Sequence, residues 1–175
     1  MDLPGVNALN GLSDEAFAHA VAPLFEGASR FMGRLAGARP FESDAALLAA
    51  ARETAAGSPE DELVELLDAH PRIGADAAEM SGLSRGEQED GVPADDALAQ
   101  ELADLNEAYE QRFGFRYVVF VAGRPRAAIA PLMEVALRNE RDAELRRGVD
   151  DAIYIAGDRL RTLRGETDDT EEVGA

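Results

Sequence analysis

The chain has 175 residues, 46% of them hydrophobic, and no cysteine, so one domain can close over its own core without disulfides or thiolate metal sites. Its 35 acidic side chains outnumber its 17 basic ones, giving a net charge of −18; such a surface repels nucleic acid and anionic membranes and makes both poor partners. No apolar run approaches the roughly 20 residues of a membrane span, and the N-terminus, Met1-Asp2-Leu3-Pro4-Gly5, lacks the regions of a signal peptide, so the expected compartment is the cytoplasm.

Ser13 is an N-cap for a helix over Asp14–Phe25, with acidic residues in the first turn to suit the dipole. Phe17, Val21, Leu24 and Phe25 share one face, although Pro23 can end the helix early. His19 lies off that stripe and reads as a solvated residue. Ser29–Ala36 is a short helix, and Gly37 to Phe41 a turn that anchors an aromatic. Ser43 caps an alanine-rich helix over Asp44–Ala56, stopped by Gly57. Ser58 and Pro59 give an N-cap followed by proline at the first helical position. In the helix they open, Leu63, Leu66 and Leu67 face the core, and His70 continues the stripe until Pro71 forces the chain out of helix. One reading of His70 is a core histidine bonded to the last carbonyls. The other is a proton-transfer group, because its unperturbed pKa near 6.5 suits that work at neutral pH.

Arg72–Leu83 reads as a loop. Ser84-Arg85-Gly86-Glu87 then matches a capping box, with Ser84 at the N-cap and Glu87 at the third helical position. That explains both residues structurally, yet Ser84, Glu87 and Gln88 also project from one side of a helix start that offers N–H groups to an anion. After a loop over Asp90–Ala94, the longest helix runs to about Phe113 on a seam of Leu98, Leu102, Leu105, Tyr109 and Phe113. Phe115–Ala122 is the one stretch with strand chemistry. It has no partner strand, which predicts a buried extended segment whose backbone groups must bond elsewhere, a ligand being one candidate. Gly123-Arg124-Pro125 opens a helix to about Arg138. A last helix over Asp142–Leu163 carries the stripe Val149, Ile153, Ala156, Leu160 and Leu163. Arg159 flanks this stripe at about 80° and Arg161 points about 120° away. An arginine beside an apolar seam usually snorkels. Gly165–Ala175 reads as a disordered acidic tail after a single domain over 1–164. No Gly-rich phosphate loop, paired-histidine motif or nucleophile elbow is present.

Taken together and in order, Arg39-Pro40-Phe41, His70-Pro71-Arg72-Ile73-Gly74, Ser84-x-x-Glu87-Gln88, Leu105-Asn106-x-x-Tyr109-x-x-Arg112-Phe113-Gly114-Phe115 and Ile155-x-x-x-Arg159-Leu160 resemble the 2-oxo-4-hydroxy-4-carboxy-5-ureidoimidazoline (OHCU) decarboxylase family. Arg72-Ile73-Gly74 departs from the Asp-Leu-Ala-Gly of other members. The resemblance implies an all-α fold, here a single-domain bundle of about seven to eight helices, with no cofactor or metal and a homodimeric assembly. It implies decarboxylation of OHCU to (S)-allantoin in urate degradation. It makes His70 the catalytic acid/base with Glu87 and Arg159 as partners. It lines the ligand site with Pro71, with Ser84, Arg85, Gly86, Glu87 and Gln88, and with Tyr117, Val118, Val119, Phe120 and Val121. A helical interaction module, in which His70, Glu87 and Arg159 lie far apart, is the rival reading; a same-fold lyase for another ureide is a second. All 17 basic residues are arginine. That surface fits a halophilic, high-salt cytoplasm, or an arginine-favouring GC-rich genome.

Overall fold

The computed structural model describes residues 3–75, 82–83 and 96–165. The predicted ligand stretch Ser84–Gln88, the loop Asp90–Ala94 and the acidic tail after Gly165 lie outside the described residues. Among the described residues, eight helices form the framework: α1 Val6–Asn10, α2 Asp14–Val21, α3 Ser29–Ala36, α4 Asp44–Gly57, α5 Glu60–Asp68, α6 Asp96–Phe113, α7 Arg126–Ala136 and α8 Arg141–Arg164. Among the described residues there is no strand, so the expected all-α bundle is what forms. None of these helices is long and apolar enough to cross a membrane.

Local chemistry sets most boundaries. Ser13 and Ser43 cap α2 and α4, their hydroxyls accepting from the Ala16 and Ala46 N–H groups at 3.2 and 3.1 Å. Helix α2 stops at Val21, before Pro23, but Leu24 and Phe25 in the following turn remain fully buried. Ser58 behaves differently from expectation. Its hydroxyl donates to the Thr54 carbonyl at 2.8 Å, so Ser58 closes α4 and Pro59 takes the N-cap place of α5. Such back-bonding within the last turn competes with capping the next helix. Gly82 and Leu83 are helical, where the sequence suggests loop. The five-residue α1 is too short to show a period, and Leu9 anchors it in the core.

Helix α8 is the central beam, packing against α4 and α5, while α3 packs on α2, α4 and α5. Gly148 lets α8 approach α5 closely, since a Cβ there would sit 3.1 Å from Leu67 Cδ1. Leu66 and Leu67 are fully buried, each contributing roughly 1.5–3 kcal/mol by leaving water. Their helix is thus fixed in position up to its C-cap Ala69, next to His70.

With few regular partners for its loop carbonyls, the chain uses arginine. Arg39 donates to Ala36 and Leu12 carbonyls, Arg124 to Val121, Arg141 to Phe113, and Arg164 to Leu3 and Pro4. A planar fork can serve a carbonyl and a carboxylate at once, as Arg164 does by also pairing with Asp44.

Candidate active site

His70 follows α5 and is only 3% exposed. Its Nδ1 lies 2.9 Å from the Leu66 carbonyl. A carbonyl only accepts, so Nδ1 carries the proton and Nε2 carries the lone pair. Nε2 is buried and has no hydrogen-bond partner among the described residues. Burial, and then the Arg159 cation, push the imidazole pKa down to about 4, against the opposing pull of the Leu66 bond and the Glu26 carboxylate. The ring is therefore neutral at physiological pH, with one nitrogen fixed and the other free to take a proton. The first reading from the sequence holds: this is a core histidine bonded to a helix-end carbonyl, and that bond selects the tautomer.

The turn after His70 is pinned on three sides. Arg116 donates to the His70 carbonyl at 2.7 Å, and its own N–H donates to Asp68 Oδ1 at 2.9 Å. Arg72 forms a bidentate pair with Glu110 at 2.8 and 2.6 Å. Asn106, 2% exposed, donates through Nδ2 to the carbonyls of Ile73 and Leu102 at 2.9 and 2.7 Å. Gly74 has φ +78°, and a Cβ on it would meet Leu102 Cδ1 at 3.2 Å, so only glycine fits without strain.

Arg159 comes from α8 and is 2% exposed. It does not snorkel, as its position beside the apolar stripe suggests it would. It donates to the Pro23 carbonyl at 3.0 Å and to Glu26 Oε1 at 2.8 Å. Pairing offsets the desolvation that would otherwise drive the guanidinium outward. Glu26 reaches it from the turn between α2 and α3, where its φ is +49°. A non-glycine residue there costs about 1–2 kcal/mol, and such strain gathers where side-chain placement matters. No local pattern marks Glu26 in the sequence; its partner lies 133 positions away. Arg161, by contrast, is exposed and pairs with Asp158.

Tyr117 to Val121 is an extended segment outside any sheet, buried throughout except for the half-buried Phe120. Arg147 of α8 ties it down, donating to the Val118 carbonyl at 2.8 Å and lying 4.8 Å over the Tyr117 ring. The same guanidinium bonds Glu144 and Asp151. Glu144, fully buried, also accepts from Tyr109 at 2.6 Å and Asn139 at 2.8 Å. Burial pushes its carboxyl up, but these donors outweigh burial and hold it below the usual carboxylate range. Burial raises the Tyr117 hydroxyl to about 12. Among the described residues, no protein group accepts the N–H of Val118, Val119 or Val121. A buried segment with N–H groups to spare can hold ligand carbonyls.

The Arg159 cation thus acts on the His70 imidazole across the fold. Glu87, with Ser84, Arg85, Gly86 and Gln88, lies outside the described residues. The described residues contain no group of three or more acidic or histidine side chains that could hold a metal ion.

A family model described as OHCU decarboxylase matches residues 10–161. The chain is 31% identical to the 2-oxo-4-hydroxy-4-carboxy-5-ureidoimidazoline decarboxylase of Haloferax volcanii, over 87% of this chain and 91% of that protein. It is 29% identical to the protein of the same name from Halalkalicoccus jeotgali, over 95% of this chain and 96% of that one. A crystal structure of OHCU decarboxylase in the presence of (S)-allantoin shares the fold, with a TM-score of 0.70 and 23% identity over 88% of this chain and 99% of that chain.

Proposed function

The chain belongs to the OHCU decarboxylase family, and we propose that it removes CO2 from 2-oxo-4-hydroxy-4-carboxy-5-ureidoimidazoline to give (S)-allantoin, in urate breakdown and without a cofactor. The observation that carries this reading is the buried, neutral His70, with Nδ1 held by Leu66 and the Nε2 lone pair unpartnered among the described residues. That is a base, ready to act on a hydroxyl.

His70 takes the proton of the substrate hydroxyl. The bond from the ring carbon to the carboxylate breaks, CO2 leaves, and the electron pair moves towards the adjacent C=N. That built-in sink is what makes an organic cofactor or metal unnecessary. The ring nitrogen takes up one proton from solvent. His70 returns the hydroxyl proton to the neighbouring carbon from one face, leaving a carbonyl and fixing the product's handedness. In this scheme Arg159 aims its planar fork at substrate oxygen atoms, Glu87 orients the imidazole or the substrate N–H groups, and the N–H groups of the Tyr117–Val121 segment hold ring carbonyls. Pro71 and Ser84 to Gln88 complete the lining. Arg159 and Arg116 supply the local positive potential that an anionic substrate needs within a protein of net charge −18.

The wider expectations belong to the same proposal: a homodimer, a cytoplasmic setting and an acidic surface adapted to high salt. Light scattering across a salt series tests the first and last. The reaction itself is tested by generating the substrate in place from urate with uricase and hydroxyisourate hydrolase, and following the circular dichroism of the product. Wild type should produce chiral signal well ahead of the spontaneous reaction, and His70→Asn should fall back to that background. Folded wild type no faster than background would refute the reading and return the chain to an interaction module or a lyase for another ureide.

A further inference from the structure

We infer that Arg147 is a positioning residue of this site: from α8 its guanidinium stands in for a neighbouring strand, holding one edge of the Tyr117–Val121 segment so that the opposite edge stays open to a ligand. The inference rests on the reading of that segment as part of the ligand lining. It gives a role to an ionic cluster that the proposed reaction leaves unused.

Helix and segment correspond residue by residue. Arg147 Nη1 donates to the Val118 carbonyl at 2.8 Å, and the guanidinium carbon lies 4.8 Å over the Tyr117 ring. One turn further on, Asp151 accepts from the same Nη1 at 2.7 Å. Burial pushes the Asp151 carboxyl up, while Arg147 and the Phe120 N–H pull it back. Beyond it, the Tyr154 ring stacks on Phe120 with centroids 6.4 Å apart. The two repeats match, since four helical residues advance about 6 Å and two extended residues about 6.6 Å. Arg124 fixes the end of the segment by donating to the Val121 carbonyl at 2.9 Å. Consecutive residues of an extended chain turn their N–H and C=O groups to opposite edges. The edge of Val118 and Phe120 therefore faces α8, and the N–H groups of Val119 and Val121 face away from it. Among the described residues no protein group accepts those two N–H groups, and both residues are buried.

Stability alone does not call for an ionic cluster here. Glu144, 1% exposed, accepts from Arg147 Nε at 2.9 Å, from the Tyr109 hydroxyl at 2.6 Å and from Asn139 at 2.8 Å. Apolar side chains of similar volume often stabilise a core as well as such a group does, or better. What they lack is a donor. A buried carbonyl needs one, and a planar fork already fixed by two carboxylates delivers it at one place and one angle. A slip of one residue would exchange the two edges and turn the waiting N–H groups away from the ligand.

The test uses the full-length protein. Arg147→Met/Asp151→Asn removes the donor and one carboxylate together and leaves the net charge unchanged. Tyr109→Phe weakens the same cluster by taking one donor from Glu144, but does not touch the Val118 carbonyl. Without ligand, backbone nitrogen relaxation should give order parameters of about 0.85 across Tyr117–Val121 in wild type and Tyr109→Phe, falling below about 0.6 in the double variant. With substrate generated in place, KM should rise about three- to tenfold in the double variant, the effect of losing about one hydrogen bond, while kcat stays within about twofold. Tyr109→Phe should keep the wild-type KM. A merely structural cluster would lower the melting temperature of both variants and leave KM and the order parameters alone. That result overturns the inference, as does an equal rise of KM in Tyr109→Phe. Should the double variant not fold, Arg147→Lys keeps the charge but cannot span the carbonyl and both carboxylates at once. Its KM should rise about threefold; wild-type KM and order parameters in that variant overturn the inference as well. The outcomes separate the two readings. Wild type that does not decarboxylate, with order lost in the double variant, would sink the reaction and uphold the anchoring. Decarboxylation with order and KM unmoved in the double variant would do the reverse.

Discussion

Acidification should reveal what it costs to keep His70 neutral. The folded imidazole has a pKa of about 4, against about 6.5 in an unfolded chain. Between those values the unfolded state binds the extra proton, so the folded state is fully favoured above pH 6.5 and loses that advantage as pH falls towards 4. Integrated from pH 7.5 to pH 5, the loss is about 2 kcal/mol; over the whole window it is about 3 kcal/mol. Urea unfolding of wild type and His70→Asn at pH 7.5 and 5.0 isolates the effect, because the carboxylates titrate alike in both proteins and cancel. The stability difference between wild type and variant should shrink by about 2 kcal/mol at pH 5. With a urea slope of about 2 kcal/mol per molar, that is a relative midpoint shift of about 1 M. A difference that stays constant between the two pH values, within about 0.5 kcal/mol, would refute the argument. It would mean that the ring is hydrated or already charged in the folded protein.

The same low basicity predicts a catalytic profile: kcat/KM should show no loss on the acid side down to about pH 5, whereas an unperturbed histidine would halve it near pH 6.5. Initial rates across that range, in buffers of matched ionic strength, decide between the two. Asn106→Leu keeps the branched outline of the side chain but strips the donor from the Ile73 carbonyl. It should cost about 1–3 kcal/mol, read as a drop in melting temperature of a few degrees, with a fall in kcat because the turn after His70 loosens.

How much of this was visible in the sequence depended on the distance over which each feature is decided. His70 stood out because a rare side chain meets a proline at the end of an apolar stripe, and the stripe does place it in the core. The extended course of Tyr117 to Val121 was legible because strand-type residues without a partner strand have few other options. Arg159 was harder. Its angle on the helix wheel marks it as a flank, and its burial depends on Glu26, which arrives from a turn in a different part of the chain. Glu26 itself carries no signal, since nothing in Leu24-Phe25-Glu26-Gly27 announces a left-handed glutamate. Tyr109 falls on the apolar seam of α6, as its spacing predicts, but the seam says nothing of its hydroxyl, which finds Glu144 on α8. Helical periodicity reports which face is buried. It does not report which polar atoms will meet there.

The arginines that reach back to loop carbonyls also shape what surrounds the protein. Arg39, Arg116, Arg147, Arg159 and Arg164 direct their guanidinium groups towards the backbone or buried carboxylates, which leaves the periphery disproportionately to Asp and Glu. To the solution, such a molecule behaves as a small polyelectrolyte bead. A cloud of mobile cations gathers around it, and ionic strength sets how closely two copies can approach. Lysine at one of those positions would lose the fork that spans carbonyl and carboxylate, and its compact, strongly hydrated charge would turn outward into the cloud. One codon change would then slacken a loop and alter the protein's colloidal behaviour together.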